Sequence, residues 1–366
     1  MNLHWKFWVP TCVHVGEKIV NKKSGIFQEF GRSVFIVTGR RSSKMNGSLD
    51  DLTDALGELG LEFSIFDDVE ENPSFTTVEK AANECRDFGA DLVIGLGGGS
   101  PMDAAKAVAI LAANPGLSAQ ELYDSSNYTS ALPVIAIPTT AGTGSEVTQY
   151  SVLTSHEGVK AGFASDLAFP RHAMLDPRYT LKMPKDITIS TAVDALSHAL
   201  EGLLAETSNP LSDVLAQDAA DKIKRALPKV LEMPDDLRWR QELLLASTEA
   251  GMVIAQTGTT LIHAMGYPLT TIKGLKHGIA NAVLIVPVLS HISLTEPERV
   301  KKVVEVFGSV ENLRSFLEKV GVYDVKVMIS DKEAHDWARR AIESKHIRKT
   351  PGFFTETDLV RIYSSL

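Results

Sequence analysis

The fold is decided by the stretch Ala90-Asp-Leu-Val-Ile-Gly-Leu-Gly-Gly-Gly-Ser-Pro-Met-Asp103. Its apolar first half predicts a buried strand, and the glycines lead into a helix with Ser100 at the N-cap and Pro101 at the first helical position. Asp103 is placed to bond back to the start of that helix, as in a capping box. Such a helix presents free backbone N–H groups to a phosphate. The stretch contains neither the dinucleotide-binding pattern G-x-G-x-x-G nor the lysine of the Walker phosphate-binding loop. The alternative interpretation is therefore a tight turn that binds no ligand.

Strands and helices alternate on both sides of this stretch. Strands are predicted at 33–39, 62–69, 90–96 and 132–138, and helices near 48–60 and 75–88. Strands spaced by helices of this length predict a parallel sheet with helices on its faces. Residues 149–154 and 160–164 predict a hairpin. The aromatic segment 5–15 predicts an extended edge segment, which pairs either within its own domain or with another subunit.

Helical periodicity takes over after Met183-Pro184. Helices are predicted near 187–205, 210–231, 237–264, 277–291, 296–307, 310–319, 332–343 and 355–364. The composition changes near 180–186, so we expect an α/β domain of residues 1–182 and an all-helical domain of residues 183–366.

Composition excludes several classes of partner. A net charge of −9 without a basic face argues against nucleic acid and anionic membranes. No apolar run approaches the roughly 20 residues that span a bilayer, and the N-terminus lacks the apolar core of a signal peptide. Cys12 and Cys85 are the only cysteines, too few for a disulfide framework or a thiolate metal site. We therefore expect a cytoplasmic protein.

A second glycine-rich loop, Pro138-Thr-Thr-Ala-Gly-Thr-Gly-Ser-Glu-Val147, follows the next predicted strand. Alone it is a weak signal, and a polar turn is the alternative. Two such loops at the ends of neighbouring strands would wall a crevice of the kind in which open α/β sheets bind dinucleotides.

The helical half contains a candidate metal centre. Asp194 and His198 are four residues apart, so on a helix they project side by side, and Glu201 is a nearby group that could orient a ligand. His263 and His277 are separated by glycines and a proline, so they come from two elements. One oxygen and three nitrogens suit a divalent ion such as iron or zinc. The remaining histidines are interpreted as surface or core residues: His4, His14, His156, His172, His291, His335 and His346.

These motifs, together with His263-Ala-Met-Gly and His277-Gly-Ile-Ala-Asn281, resemble the iron-containing (group III) alcohol dehydrogenases of the propanediol and butanol dehydrogenase type. The resemblance implies a dinucleotide-binding α/β domain, an all-helical domain, and an active site in the cleft between them. It also implies a homodimer joined through the N-terminal strand, and Fe²⁺, with Zn²⁺ as the other possibility, on Asp194, His198, His263 and His277. The residues predicted to hold the cofactor are Gly39, Arg40, Ser42, Asn72, Gly97, Gly98, Gly99, Ser100, Asp103, Thr139, Thr140, Thr143, Ser145, Val147 and Lys160.

The chain departs from the family's pattern at three places. Tyr267 stands where many relatives carry a histidine, and is a candidate for proton transfer or packing. The first strand ends in Gly39-Arg-Arg-Ser-Ser-Lys44 instead of an acidic residue, which predicts NADP(H) over NAD(H). The segment after about residue 320 matches poorly, so the substrate is not defined beyond a small primary alcohol or diol and its aldehyde. The alternatives are a glycerol dehydrogenase, a dehydroquinate synthase, or a non-catalytic nucleotide-binding protein.

Overall fold

The computed structural model describes residues 4–366, which divide into two compact units. One unit spans Val9–Met183. The other spans Pro184–Leu366 and also takes in residues 4–8, which therefore belong with the helices and not with the sheet.

The first unit is built on a six-stranded parallel sheet, as predicted. Its strands are β1 Cys12–Val15, β2 Ser33–Gly39, β3 Glu62–Val69, β4 Leu92–Gly97, β5 Val134–Pro138 and β8 His172–Leu175, in the order β1-β8-β5-β4-β2-β3. The strands β6 Tyr150–Thr154 and β7 Lys160–Ala164 form the predicted antiparallel hairpin. β3 lies on one side of β2 and β4 on the other, so the connections change direction between the carboxyl ends of β2 and β4. In open α/β sheets this switch point is where ligands bind.

Helices cover both faces of the sheet. They are α1 Ile19–Lys22, α2 Ser42–Met45, α3 Ser48–Glu58, α4 Phe75–Phe88 and α5 Gly99–Ala113. Alternate residues of β2 enter different cores: Phe35 and Val37 pack with residues of α4 and α5, whereas Val34 and Ile36 pack with residues of α3. A strand buried on both faces reads as a continuous apolar run, which is why the sequence located it.

The N-terminal segment and β8 differ from the expectation. Only Cys12–Val15 of the predicted extended segment 5–15 forms a strand, at one edge of the sheet as described. Before it, the backbone of Trp8 is held by the side chain of Gln256. β8 was missed because His172–Leu175 is four residues long, too short for a periodic signal, and is fixed by pairing with β1 and β5.

The second unit is helical. Its helices are α6 Lys185–Leu204, α7 Pro210–Glu232, α8 Leu237–Thr257, α9 Leu261–Thr271, α10 His277–Ile292, α11 Pro297–Val303, α12 Val310–Lys319, α13 Asp331–Glu343 and α14 Glu356–Ser364. The single helix predicted over 237–264 is wrong. Gly258 has a φ of +66°, a left-handed conformation that an α-helix does not contain, so the chain turns there and α9 starts in a new direction. No helix within residues 4–366 is long and apolar enough to cross a membrane.

Close packing of α6 on α8 depends on Gly202. A β-carbon at this position would overlap the side chain of Val253 on α8. Interiors are packed as densely as organic crystals, so one added methyl group has to displace a neighbour.

We expect Gly202→Ala to lower the stability of the protein by about 1–3 kcal/mol, because α6 and α8 must separate. Gly57→Ala is the matched control: Gly57 is exposed within α3 and has no neighbour near an added β-carbon, so the helix propensity of alanine should stabilise by about 0.5–1 kcal/mol. Thermal unfolding midpoints would check both. Equal shifts in the two variants would contradict the packing argument.

Candidate metal centre and cofactor loops

Four predicted ligands converge in the helical unit. Asp194 and His198 lie on α6, His263 on α9, and His277 at the first position of α10. The Asp194 Oδ1 atom is 3.9 Å from the Nε2 atom of each of the three imidazoles. Asp194, His198 and His263 are buried, whereas about a third of the His277 side chain is exposed, so the cluster is open on the side of His277.

The electrostatics of the cluster favour an ionised carboxylate. Burial alone would raise the pKa of Asp194, but the attraction of the three imidazoles and a hydrogen bond from Asn281 outweigh it and lower the pKa below its usual value. The Asn281 amide nitrogen lies 3.1 Å from Asp194 Oδ1, 3.1 Å from His263 Nε2 and 3.3 Å from His277 Nε2, so its two N–H bonds can serve two of these three atoms at a time.

Glu201 binds the Nδ1 side of the His263 ring, whose Nε2 side faces Asp194. This fully buried carboxylate accepts hydrogen bonds from His263 Nδ1, from Ser197 Oγ at 2.8 Å, and from the backbone N–H and hydroxyl of Thr260 at 2.7 and 2.6 Å. Burial alone would raise the Glu201 pKa, but His263 and these donors lower it. A carboxylate on Nδ1 leaves the lone pair on Nε2 and fixes the orientation of the ring. The sequence suggested Glu201 by proximity, but Thr260 is too distant in sequence to have been found.

Two glycines let the helices come together at this point. A β-carbon at Gly278 would overlap the carbonyl oxygen of Ser190 on α6 and crowd the Asp194 side chain. One at Gly266 would overlap the amide of Asn281. Sequence reasoning treated both glycines as interruptions between helices and missed that they set how closely α9 and α10 approach the carboxylate.

The donor set fits a first-row divalent ion. Two ligand atoms bound tetrahedrally to one ion at about 2.1 Å lie roughly 3.4 Å apart. The three separations of 3.9 Å between Asp194 Oδ1 and the imidazole nitrogens are close to this value. Within the described chain, Asp194, His263 and His277 form one of two groups whose ligand atoms all lie within 4.8 Å of one another.

Tyr267 lies beside the cluster. Its ring stacks on His277 with the centroids 6.3 Å apart, and it meets His346 edge-on at 6.3 Å. Burial, with smaller contributions from Glu201 and Asp194, raises the pKa of Tyr267 to about 12.

In the sheet unit, the two glycine-rich loops lie side by side, as expected for loops that follow neighbouring strands. Gly97 and Pro138 are paired across β4 and β5, and the Thr139 N–H donates to the Gly97 carbonyl at 2.8 Å. A β-carbon at Gly99 would lie 2.9 Å from the Thr143 methyl group. One at Gly98 would be 3.4 Å from Thr140. Small residues are therefore needed here for the loops to pack, in addition to any role with a ligand.

The start of α5 differs from the prediction. The helix begins at Gly99 with Gly98 as its N-cap, so Ser100 and Pro101 lie inside the first turn. The Ser100 hydroxyl instead accepts a hydrogen bond from the backbone of Asn72, which has a φ of +57°. Asp103 makes no capping box, because its carboxylate accepts from Ser145 Oγ at 2.6 Å and from the Val152 N–H at 2.9 Å.

Lys106 is a buried cation that the sequence analysis did not single out. Its ammonium donates to Ser145 Oγ at 2.7 Å, to Thr148 Oγ1 at 3.3 Å and to the Tyr150 carbonyl at 2.7 Å. Burial lowers the pKa of Lys106 to about 8 against the attraction of Asp103 and Glu146. The spacing of Asp103 and Lys106 on one helix was the available signal. This cation ties α5 to the second loop and to β6.

The rest of the second loop surrounds these contacts. Val147 is buried in the short turn Ser145–Val147, and Lys160 on β7 is near enough to attract Asp103. Among residues 4–366, the Thr140 hydroxyl is buried without a hydrogen-bond partner. A buried hydroxyl left unpaired costs free energy, so Thr140 is suited to receive a polar ligand.

The segment after β2 carries the predicted nucleotide-selecting residues. Gly39 ends the strand against the ring of Pro101, and Ser42 starts α2. Arg40 and Lys44 are not free cations: they form ion pairs with Asp68 and Asp67 at the end of β3. The side chains of both pairs are about half exposed or more, so each pair contributes little to stability. Another anion can therefore take the place of the aspartate.

Comparison with known proteins identifies the family. A model described as iron-containing alcohol dehydrogenase matches residues 10–177, and one described as Fe-containing alcohol dehydrogenase family, C-terminal, matches residues 188–366. The chain is 33% identical over 370 residues to the probable alcohol dehydrogenase EutG of Escherichia coli (strain K12), covering 98% of this chain and 94% of that one. The crystal structure of an iron-containing alcohol dehydrogenase from Thermotoga maritima matches with a TM-score of 0.93 at 49% identity, over 99% of each chain.

This chain therefore belongs to the iron-containing alcohol dehydrogenase family and is an oxidoreductase. The identification from its motifs is confirmed, as is the combination of a parallel α/β domain with a helical domain. A further relative, 31% identical over 84% of this chain and 79% of its own length, is the NADPH-dependent butanol dehydrogenase of Clostridium saccharobutylicum.

We expect Gly278→Ala to weaken divalent metal binding by at least about tenfold, because the added methyl group pushes His277 away from Asp194. Gly274→Ala is not a suitable control, since its φ of +70° strains any side chain; Gly57→Ala is unstrained and remote in sequence. Competition with a fluorescent chelator would measure the affinities. Wild-type affinity in Gly278→Ala would show that the close approach of α10 to α6 is not needed.

Proposed function

We propose that Asp194, His198, His263 and His277 hold a catalytic Fe²⁺, with Zn²⁺ as the other candidate, in a metal-dependent alcohol dehydrogenase. The observation that carries the proposal is the equal separation of 3.9 Å between one buried carboxylate oxygen and three imidazole nitrogens. A buried carboxylate and buried imidazoles are retained at a cost in stability unless they serve one another or a ligand. A divalent ion, when bound, supplies Lewis acidity that lowers the pKa of an alcohol hydroxyl.

The protein side chains have distinct tasks in this proposal. Glu201 fixes the orientation of the His263 ring and keeps its Nε2 lone pair available. Asn281 orients the Asp194 carboxylate by donating a hydrogen bond to it, which a bound ligand would replace. The partly exposed edge at His277 admits the substrate hydroxyl. Tyr267, whose ring stacks on His277, contributes to proton transfer or packs beside the substrate.

The nicotinamide nucleotide is assigned to the sheet unit. Gly97 to Ser100 and Thr139 to Val147 follow β4 and β5, and the segment beginning at Gly39 follows β2, so all three lie at carboxyl ends of strands around the switch point of the sheet. The unpaired Thr140 hydroxyl and the start of α5 supply donors for the pyrophosphate. Asn72, Asp103 and Lys160 fix the shape of this region through Ser100 and the hairpin.

We propose NADP(H) as the preferred nucleotide. Arg40, Lys44 and the hydroxyl of Ser42 follow β2, where a 2′-phosphate is bound in dinucleotide folds. A phosphate dianion can replace Asp68 and Asp67 as the partner of these cations, since both ion pairs are exposed. Family membership does not decide the question: the butanol dehydrogenase relative is NADPH-dependent, whereas the methanol dehydrogenase of Bacillus methanolicus, 30% identical over 82% of this chain, is NAD-dependent.

A small primary alcohol or diol, and the corresponding aldehyde, is the proposed substrate class, with a cytoplasmic homodimer as the working form. The dimer would form through the N-terminal strand. β1 offers the open hydrogen-bonding edge that such an interface uses, since only its β8 side is paired in the described sheet.

His277→Ala should abolish turnover and remove most of the bound metal, because a three-ligand set loses both affinity and geometry. His335→Gln is the matched control: His335 pairs with Glu356 at the surface, so metal content and rate should stay as in the wild type. Elemental analysis and NADPH oxidation with butanal would measure both quantities. A His277→Ala protein with normal metal and activity would refute the assignment.

Arg40→Ala should raise the KM for NADPH roughly tenfold and leave that for NADH nearly unchanged, since only NADPH carries the 2′-phosphate. Asp68→Asn removes the competing carboxylate and should lower the KM for NADPH. Arg238→Ala, an exposed arginine of the helical unit paired with Asp236, should change neither. Steady-state kinetics with both nucleotides decide the matter; a wild-type preference for NADH would overturn the proposal.

A further inference from the structure

A second group of metal-ligating side chains lies in the sheet unit. Cys12, His14 and His172 each offer one ligand atom, and these atoms all lie within 4.8 Å of one another. Sequence analysis interpreted His14 and His172 as unrelated surface or core residues, and considered two cysteines too few for a thiolate site. The structure corrects this, because the His14 Nε2 and His172 Nδ1 atoms are 3.0 Å apart.

The sheet geometry brings these three residues together. Cys12 and His14 are two residues apart on β1, so their side chains project from the same face. In the parallel pairing of β1 with β8, Cys12 lies directly beside His172, which therefore projects from that face as well. The two imidazole rings stack with centroids 5.3 Å apart, and one ligand atom of each ring lies within 4.8 Å of the Cys12 sulfur.

We propose that Cys12, His14 and His172 form a second divalent-metal site, selective for Zn²⁺, in addition to the cluster around Asp194. Sulfur with two imidazole nitrogens is a donor set that binds zinc tetrahedrally. The separation of the two imidazole nitrogens is close to the roughly 3.4 Å between ligands at about 2.1 Å from one tetrahedral ion. Cys12 is exposed in the single chain, and the three side chains leave a fourth position of the ion for another donor.

The surroundings of the site contain one carboxylate and one cation. The Glu29 carboxylate is near enough to attract both imidazoles, while Lys23 acts against it at His14. Phe30 packs edge-on against His172, with the two ring centroids 5.8 Å apart. Burial, with the neighbouring His172 and Lys23, lowers the pKa of His14, and burial lowers that of His172. The two facing nitrogens share one hydrogen bond, and a bound ion would replace its proton.

Zinc binding has two consequences at this place. The ion replaces the proton of the Cys12 thiol, so one proton is released for each Zn²⁺ bound and no electrons are exchanged. The bound ion also joins β1 to β8 through side chains. A strand of four residues at a sheet edge is thereby held more firmly, and the unfolding temperature rises with zinc.

The sulfur ligand distinguishes this site from the catalytic one. The cluster around Asp194 contains only oxygen and nitrogen donors. Cys85, the other thiol, is buried in the core, where burial raises its pKa to about 12. A thiolate-to-metal charge-transfer band in the Co²⁺-substituted protein can therefore come only from Cys12.

The test compares the full-length wild type with Cys12→Ser, His172→Gln and the control His335→Gln, each equilibrated with Zn²⁺ or Co²⁺ and then desalted. We expect the wild type and His335→Gln to hold one more ion per chain than Cys12→Ser and His172→Gln. The near-ultraviolet cobalt–thiolate band should disappear in Cys12→Ser, and turnover with an aldehyde should stay within twofold in all four proteins. Equal metal content in wild type and Cys12→Ser, or a wild type without the cobalt band, overturns the proposal. Since the readout is a difference between variants, it does not depend on whether the Asp194 cluster is loaded.

Discussion

The carboxylate of Asp194 is buried together with three imidazoles, and the helical unit is arranged to make that tolerable. An ionised carboxylate removed from water without partners costs several kcal/mol. Here His198, His263, His277 and the Asn281 amide supply compensating charge and hydrogen bonds. These groups come from three helices, so α6, α9 and α10 must meet within a few ångströms of one atom.

The close approach of α6, α9 and α10 explains two glycines that local helix propensity does not favour. Glycine at 266 and 278 reduces the helix propensity of α9 and α10. It also removes the side chains that would keep those helices apart. Glu201 also helps to position α9, because it binds His263 and at the same time holds the start of that helix through Thr260. The orientation of the His263 ring and the packing of α9 therefore depend on one set of contacts.

The sheet unit also buries a charged group, the side chain of Lys106, and surrounds it with hydrogen-bond acceptors. Burial lowers the pKa of Lys106 to about 8, close to physiological pH. Its ammonium group is enclosed by Ser145, Thr148 and the Tyr150 carbonyl. It fixes the second loop to α5, while glycines 98 and 99 allow that loop to lie against the first.

The sequence by itself determined the fold class, most elements and the placing of Asp194 beside His198, because these depend on local patterns: apolar runs for buried strands, the 3.6-residue period for helices, and the i, i+4 spacing of the two residues. Only the tertiary structure decided the break at Gly258, the short strand β8, and the start of α5 at Gly99. It also decided which distant groups meet, namely Thr260 with Glu201, Lys106 with Ser145, and His14 with His172. The physical reason is that a period or a cap is written within a few neighbouring residues, whereas the register of β1 beside β8 and the approach of α10 to α6 follow from packing the whole chain.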